Sequence, residues 1–81
     1  MSQWDKLVAE ILALNPNLRF EDLYRALVKI SYTPEQPRGG SSHYTFRKAG
    51  CMPITLPKHG PMKKAYINLA ADAVRAYLQE V

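Results

Sequence analysis

The sequence predicts a small α+β domain whose elements follow in the order α-α-β-β-β-α. Apolar residues recur at helical spacing before residue 31 and after residue 63, whereas the segment between them contains short alternating stretches. With 81 residues, the chain is long enough for one small core and too short for two. We therefore expect a single domain, residues 1–81, in which a three-stranded antiparallel sheet carries all of the helices on one face.

The first two helices are predicted from apolar spacing and from signals at their ends. Ser2 with Asp5 three residues later resembles a capping box, and a helix over residues 3–14 should follow until an Asn-Pro-Asn sequence ends it. A second helix is expected over about residues 20–30, with Glu21 in its first turn, where a carboxylate suits the helix dipole. The apolar faces are Trp4, Leu7, Val8, Ile11, Leu12 and Leu14 in the first helix, and Phe20, Leu23, Leu27 and Ile30 in the second.

Three strands and a last helix are expected next. Two prolines in residues 32–37 exclude a central strand but allow an edge strand. After a glycine-serine turn, residues 42–48 alternate, residues 54–57 return, and a helix runs over about residues 64–79. The inward face should be Tyr44, Phe46, Ile54 and Leu56 of the sheet with Ile67, Ala70, Val74, Tyr77 and Leu78 of the helix. The open face of the sheet should then be His43, Thr45, Arg47 and Thr55.

The same alternation restricts how the second and third strands pair. Because His43 and Thr55 both face outward, an antiparallel register must pair odd-numbered residues with odd-numbered ones. A loop of ordinary length then places Pro57 or His59 opposite His43. Opposed side chains have Cβ atoms about 5 Å apart and diagonal ones about 7–8 Å apart. His43 and His59 can therefore share one exposed site, provided that strand pairing extends that far.

Positive charge is concentrated in the middle of the chain. The formal net charge is +4, and residues 37–71 contain six of the 11 basic residues and no acid. A basic segment between nearly neutral ends is typical of phosphate binding, although a solvated basic surface would have the same composition. The candidate phosphate-binding residues are Arg38, Arg47, Lys48, Lys58, Lys63 and Lys64.

Composition also restricts the cellular setting. No apolar run approaches the roughly 20 residues that span a bilayer, and the N-terminus lacks the basic and apolar regions of a signal peptide. Cys51 is the only cysteine, which excludes an internal disulfide. We therefore expect no membrane association and a cytoplasmic location. A zinc site is not expected, because Cys51, His43 and His59 lack the spacing of metal ligands.

Two histidines among cations suit cleavage of RNA without a metal ion. One imidazole would take the proton of a 2′-hydroxyl that attacks the neighbouring phosphate. An acid, either the second imidazole or a cation, would protonate the leaving oxygen, and Lys or Arg would stabilise the developing charge. His43 is the candidate general base and His59 a candidate acid. The alternative is that both are surface histidines that only support their turns.

Two segments of the chain form a recognisable pattern, residues 40–46, Gly-Ser-Ser-His-Tyr-Thr-Phe, and residues 54–60, Ile-Thr-Leu-Pro-Lys-His-Gly. They resemble the HicA toxins of bacterial toxin–antitoxin pairs. Those toxins carry a Gly-Ser-His motif before an alternating strand, then a Thr-hydrophobic-Pro strand and a basic helix start. The resemblance covers roughly residues 20–78, and the helix before it looks like an N-terminal extension of longer members. The sequence departs from the pattern in the extra serine before His43 and in the prolines of the preceding strand.

The resemblance implies a double-stranded-RNA-binding-domain-like fold and an endoribonuclease, an mRNA interferase that inhibits translation in a stress response. It places His43 in the catalytic position of the family, whereas His59 lies where only some members have a histidine. It implies cleavage without a metal ion or another cofactor. It also implies neutralisation by a HicB-like antitoxin. We expect the antitoxin to cover the His43 face, because occluding one exposed histidine is enough to silence such an enzyme, and we expect the free toxin to be monomeric.

A function without catalysis is the alternative. Lys63 and Lys64 should open the last helix, where each opposes the helix dipole by about a few tenths of a kcal/mol. Phosphate contact would explain them, and their position resembles that of the phosphate-binding lysines in the final helix of double-stranded RNA-binding domains. The chain would then be an RNA-binding module, or a degenerate toxin that binds its antitoxin and cuts nothing. Exposed loop lysines without a ligand are the simplest explanation of the same residues.

Overall fold

Three α-helices and a three-stranded antiparallel sheet follow one another in the order α-α-β-β-β-α, which confirms the predicted layout. The computed structural model describes residues 2–36 and 42–79. In it β2 is the central strand, and β1 and β3 pair with its two sides. The elements are α1 (Gln3–Leu12), α2 (Phe20–Lys29), β1 (Thr33–Glu35), β2 (His43–Arg47), β3 (Ile54–Pro57) and α3 (Lys64–Gln79).

The sheet has one buried face and one open face, as the alternation predicted. Phe46 and Leu56 have no exposed surface, whereas His43, Arg47 and Thr55 are exposed. The buried strand residues share a single cluster with apolar residues of all three helices, so the helices cover one face only. The fully buried large side chains are Ile11, Leu23, Leu27, Ile30, Phe46, Leu56, Ile67 and Val74.

β1 is an edge strand that contains a proline. Pro34 lies opposite Phe46 of β2 and has no backbone N–H to donate. Such a residue is tolerated where only one side of the strand is paired. The prediction of an edge strand at this place is therefore confirmed, over Thr33–Glu35.

α1 ends two residues before the apolar pattern does. Its last residue is Leu12, and Leu14 has a left-handed backbone with φ 56°. The N–H of Asn15 donates to the carbonyl of Glu10 at 3.1 Å, and the N–H of Leu14 donates to that of Ile11 at 2.9 Å. This is a Schellman motif, in which the chain reverses while its terminal carbonyls stay hydrogen-bonded. Leu14 still packs against the core, which is why the helical spacing continued past the helix.

α2 is closed by the same motif and opened by a carboxylate. Ser31 has φ 81°, and the N–H of Tyr32 donates to the carbonyl of Leu27 at 2.9 Å. At the other end, Asp22 accepts a 2.9 Å hydrogen bond from the backbone N–H of Arg19. Both ends of α2 therefore have backbone groups that are satisfied locally.

α1 belongs to the same core as the rest of the chain. The hydroxyl oxygen of Ser2 accepts the N–H of Asp5 at 3.1 Å, which confirms the predicted N-cap. Ile11 has no exposed surface and lies in the cluster that also holds Phe46. Trp4 is half-buried against that cluster, in agreement with its expected packing role.

The end of α3 differs from its predicted apolar face. Leu78 is 44% exposed, whereas Ala71 is fully buried. Tyr77, in the same turn as Leu78, still packs against the core. Leu78 therefore keeps the spacing of the apolar face without its burial.

Candidate functional site

His43 stands at the start of the central strand, on the open face. It lies opposite Pro57, Tyr44 lies opposite Leu56, and Thr45 lies opposite Thr55. The predicted pairing of odd with odd residues is therefore confirmed, and Pro57 rather than His59 occupies the position across from His43. The pairing continues one step beyond β3, because the N–H of Lys58 donates to the carbonyl of Ser42 at 2.7 Å.

His59 follows two residues after Pro57 and is exposed. It lies in a bend after β3, beyond the last hydrogen bond that joins the two strands in the described residues. The ladder therefore brings its backbone close to the His43 end of the sheet without making the two residues direct partners. A shared site for the two imidazoles stays a prediction.

Two threonine hydroxyls lie in the middle of the open face. Thr45 Oγ1 and Thr55 Oγ1 are 3.3 Å apart, so one hydroxyl can donate to the other. The hydroxyl that accepts keeps its own O–H, which can donate to a third group such as a phosphate oxygen. The open face thus carries neutral donors beside His43 as well as the predicted histidine.

The open face also carries an acidic residue, Glu35. It was missed when charges were counted over residues 37–71, because it lies before that segment. Glu35 of β1 pairs with Arg47 of β2, with Oε1 2.7 Å from Nε. The face is therefore not purely cationic, because antiparallel pairing places a strand from the acidic N-terminal part beside β2. The side chains of Arg47 and Glu35 are 58% and 55% exposed, and such an ion pair contributes little free energy. Arg47 can therefore leave Glu35 and bind a phosphate instead.

The predicted phosphate-binding residues divide between two ends of the sheet. Arg47 is four residues from His43 along β2, which is about 14 Å in a strand. Lys48 follows it and packs on rings, with Nζ 5.2 Å from the centroid of Tyr77 and 5.7 Å from that of Tyr32. These two cations do not adjoin His43, and Lys48 is held by cation–π contacts.

The other described cations of that set follow β3, which ends beside His43. Lys58 directly follows β3, Lys63 precedes α3, and Lys64 is its first residue; all three are exposed. The loop that joins β3 to α3 leaves the sheet beside the start of β2. The segment that contains these lysines therefore begins at the end of the sheet where His43 lies. Arg38 and the Gly-Gly-Ser part of the motif lie outside the described residues.

Lys58 also lines a cavity that the sequence did not predict. Its Nζ lies 5.7 Å from the centroid of the Tyr44 ring, and both side chains border a cavity of about 540 Å³ next to α2. The sequence contained one signal for this position. Successive residues of a strand point to opposite faces, so Lys58, two residues after the inward-facing Leu56, continues the inward face of β3. The contribution of α2 carries no comparable signal, because it depends on how the helix packs.

Metal-binding clusters and membrane-spanning helices are absent from the described part of the chain. Nowhere in residues 2–36 and 42–79 do three His, Cys, Asp or Glu side chains come together in a way that would hold a metal ion. Cys51 is exposed in the turn between β2 and β3. None of the described helices is both long enough and apolar enough to cross a membrane.

No family model, curated protein or solved structure matches this chain. A function is therefore inferred from the residues of the sheet and from the geometry that places them.

Proposed function

We propose that the protein is a HicA-like endoribonuclease, an mRNA interferase toxin that cleaves mRNA without a metal ion and thereby inhibits translation. The proposal depends above all on the position of His43, which is exposed on the open face at the start of the central strand. Exposure matters because a base must reach the 2′-hydroxyl of a bound polymer. Lys58, Lys63 and Lys64, in and after the loop that leaves the same end, support the proposal as phosphate-binding residues.

In the proposed reaction, the neutral imidazole of His43 removes the proton of a ribose 2′-hydroxyl. The 2′-oxygen attacks the adjacent phosphorus, a P–O2′ bond forms, and the P–O5′ bond breaks. The leaving 5′-oxygen takes a proton from an acid, His59 or one of the lysines, and the products are a 2′,3′-cyclic phosphate and a 5′-hydroxyl. The lysines stabilise the charge on the non-bridging oxygens, and no metal ion is needed.

A HicB-like antitoxin is the proposed protein partner in the cytoplasm, and it would cover the His43 face. Covering this face is sufficient for inhibition, because the base and its substrate must meet there. The structure of the complex tests this part of the proposal. An antitoxin that leaves His43 open to solvent and RNA would contradict it.

The catalytic role of His43 is tested with the His43→Ala variant. A positioned base contributes about 10²–10⁴-fold, so cleavage of an RNA oligonucleotide in EDTA should fall by that factor. Because His43 is exposed, the thermal unfolding midpoint should change little. RNA affinity should be kept, because the lysines are the proposed phosphate-binding residues. Expression of the wild-type chain in bacteria should arrest growth and fragment RNA, and expression of the variant should do neither. Equal cleavage by both proteins would remove His43 from the mechanism.

A non-catalytic RNA-binding module is the second candidate. The observation that favours it is the pair of exposed lysines at the start of α3, Lys63 and Lys64. It predicts that wild type binds RNA and leaves it intact, and that His43→Ala changes nothing. Replacing both lysines by alanine should then weaken binding and reduce the salt slope by about one for each phosphate that is no longer bound. A degenerate toxin would bind only the antitoxin.

A further inference from the structure

A cavity of about 540 Å³ opens between α2 and the inward side of the sheet at its His43 end. This volume lies in the range of about 300–1,000 Å³ that is usual for small-molecule sites. Three aromatic rings, Phe20, Tyr24 and Tyr44, contribute to its walls. Polar side chains border it on several elements, namely Glu21, Arg25, Gln36 and Lys58. Aromatic walls with a few polar groups at the rim are the general composition of a ligand site.

The rings hold one another in place. The centroids of Phe20 and Tyr44 are 5.2 Å apart, and those of Tyr24 and Tyr44 are 6.4 Å apart at an interplanar angle of 80°. Phe20 is buried, whereas Tyr24 and Tyr44 are half-buried and keep part of their surface accessible. Their mutual contacts reduce the rotamer freedom that binding would otherwise have to remove. The two tyrosines therefore offer a rigid aromatic surface.

Of the polar groups around the rings, Lys58, Arg25 and Gln36 suit a nucleotide, whereas the carboxylate of Glu21 repels a phosphate placed close to it. Lys58 Nζ lies over the Tyr44 ring, 5.7 Å from its centroid, and the side chain is exposed, so it can contact a phosphate. The Arg25 side chain is 65% exposed, and its Nη2 lies 2.8 Å from Oδ1 of Asp22. The amide of Gln36 both donates and accepts, as the edge of a base requires. Stacking on aromatic rings with a nearby cation is the usual way in which proteins hold single-stranded nucleic acid.

The cavity and the candidate base lie at the same end of the sheet. Tyr44 directly follows His43 in β2, and Lys58 directly follows Pro57, the residue opposite His43. Consecutive strand residues are about 3.4 Å apart and point to opposite faces. An RNA strand that passes over this end can therefore place one nucleotide in the cavity while a neighbouring phosphodiester reaches His43.

We propose that this cavity binds one unpaired nucleotide of the RNA. Its base lies in the corner between the nearly perpendicular rings of Tyr24 and Tyr44, stacked on one ring and edge-on to the other, and its phosphate contacts Lys58. The inference depends on the proposed function, because that function supplies RNA as the ligand. It adds that the substrate is single-stranded where it is bound, since a base inside a duplex is not available for stacking. Sequence preference would then arise at this nucleotide.

The test uses 2′-O-methyl oligonucleotides, which cannot be cleaved, with an abasic position moved along the strand. Tyr44→Leu should weaken binding of the complete oligonucleotide by about 5- to 150-fold, which corresponds to the removal of one stacked base. With the abasic position at the cavity, wild type and variant should bind equally. Tyr66→Leu is the matched control, because Tyr66 is a half-buried tyrosine of α3 outside the residues that border the cavity. Equal losses of affinity for complete and abasic strands, or no loss, would overturn the inference.

Variants on other elements keep the test valid if Tyr44→Leu does not fold. Tyr24 lies on α2, and the loss of affinity in Tyr24→Leu should depend on the abasic position in the same way. Lys58→Ala removes an exposed side chain, and it should weaken binding of complete and abasic strands alike because it contacts phosphate. If all three variants bind as wild type does, the cavity does not hold the nucleotide.

Cleavage of unmodified RNA separates this inference from the proposed function. Wild type that cleaves RNA, with Tyr24→Leu and Tyr44→Leu variants that bind and cleave equally well, supports the ribonuclease and overturns the nucleotide site. Binding that depends on Tyr44, without any cleavage, supports the nucleotide site and overturns the ribonuclease in favour of an RNA-binding module. Failure of wild type to bind any oligonucleotide overturns both.

Discussion

At the scale of single residues, Ser31 and Leu14 hold backbone positions that glycine usually occupies. Their φ angles are 81° and 56°, and each lies just after the end of a helix, in a Schellman motif. A left-handed conformation costs a non-glycine residue roughly 1–2 kcal/mol. Ser31 is exposed, so no burial offsets that cost, whereas Leu14 packs against the core.

Ser31→Gly should therefore stabilise the protein. Relief of the left-handed strain exceeds the extra entropy that glycine has in the unfolded chain, and we expect a gain of about 0.5–1 kcal/mol. Urea unfolding monitored by circular dichroism measures the difference. Leu14→Gly is the control, because it relieves similar strain but removes apolar packing and should not stabilise. A decrease in stability for Ser31→Gly would show that the serine side chain contributes more than its backbone costs.

The same residues explain which helix boundaries could be predicted. Ser2 was recognised because a serine before an apolar repeat is a common N-cap. The end of α1 was not, because leucine is an unusual residue for a left-handed cap and its apolar spacing imitates a longer helix. Leu14 contacts the core because of how the chain packs after α1 ends, and apolar spacing along the sequence cannot distinguish such packing from a longer helix.

At the scale of elements, the pairing of β1 with β2 determines the charge of the open face. Alternation alone predicted that odd residues of β2 pair with odd residues of β3, because a shift by one residue would bury His43 and expose Phe46. It did not decide whether Pro57 or His59 lies opposite His43. The ion-pair partner of Arg47 could not be predicted in the same way, since such a prediction requires knowing where β1 pairs along β2. That pairing places Glu35 within 2.7 Å of Arg47 and reduces the positive charge available to a ligand.

Glu35→Gln should release Arg47 and strengthen binding of RNA. The pair is exposed, so the free energy of unfolding should change by less than about 1 kcal/mol. Affinity for an RNA oligonucleotide should rise a few-fold, and the salt dependence should become steeper if Arg47 takes up one more phosphate. Binding measured at several salt concentrations tests both effects. Glu10→Gln on α1 is the control, and an affinity unchanged by Glu35→Gln would exclude Arg47 from the RNA contact.

At the scale of the whole molecule, one cluster of apolar residues joins the sheet to all three helices. A chain of 81 residues has a stability of about 4–12 kcal/mol, at roughly 0.05–0.15 kcal/mol per residue. Each large side chain in this cluster is therefore a substantial part of the total. Leu56 and Leu78 are a matched pair of leucines for testing it, because they are 0% and 44% exposed.

Leu56→Ala should cost about 2–5 kcal/mol, because it removes apolar packing and leaves a cavity between the sheet and the helices. Leu78→Ala should cost less than about 1 kcal/mol, since much of its side chain already touches water. Thermal and urea unfolding of the two variants provide the comparison. Similar decreases in stability would mean that Leu78 contributes to the core as the apolar pattern had predicted.

The candidate site was partly predictable at this scale. The position of His43 on an open face followed from local alternation, whereas the separation of the cations did not. Arg47 and Lys48 are close to His43 in the sequence but lie toward the other end of β2, and Lys48 is held by two tyrosine rings. A count of charges along the chain cannot distinguish the two ends of a strand, so it overestimated how many cations could act together.

Pro34 has a consequence for the protein at high concentration. It lies in an edge strand, where a foreign strand would need backbone N–H groups with which to pair, and it has none to offer. The other edge strand, β3, has only four residues and also ends in a proline, Pro57. Each border of the sheet thus carries an imino acid, which discourages the addition of strands from neighbouring molecules. We expect the folded chain to resist edge-to-edge aggregation while its open face stays available.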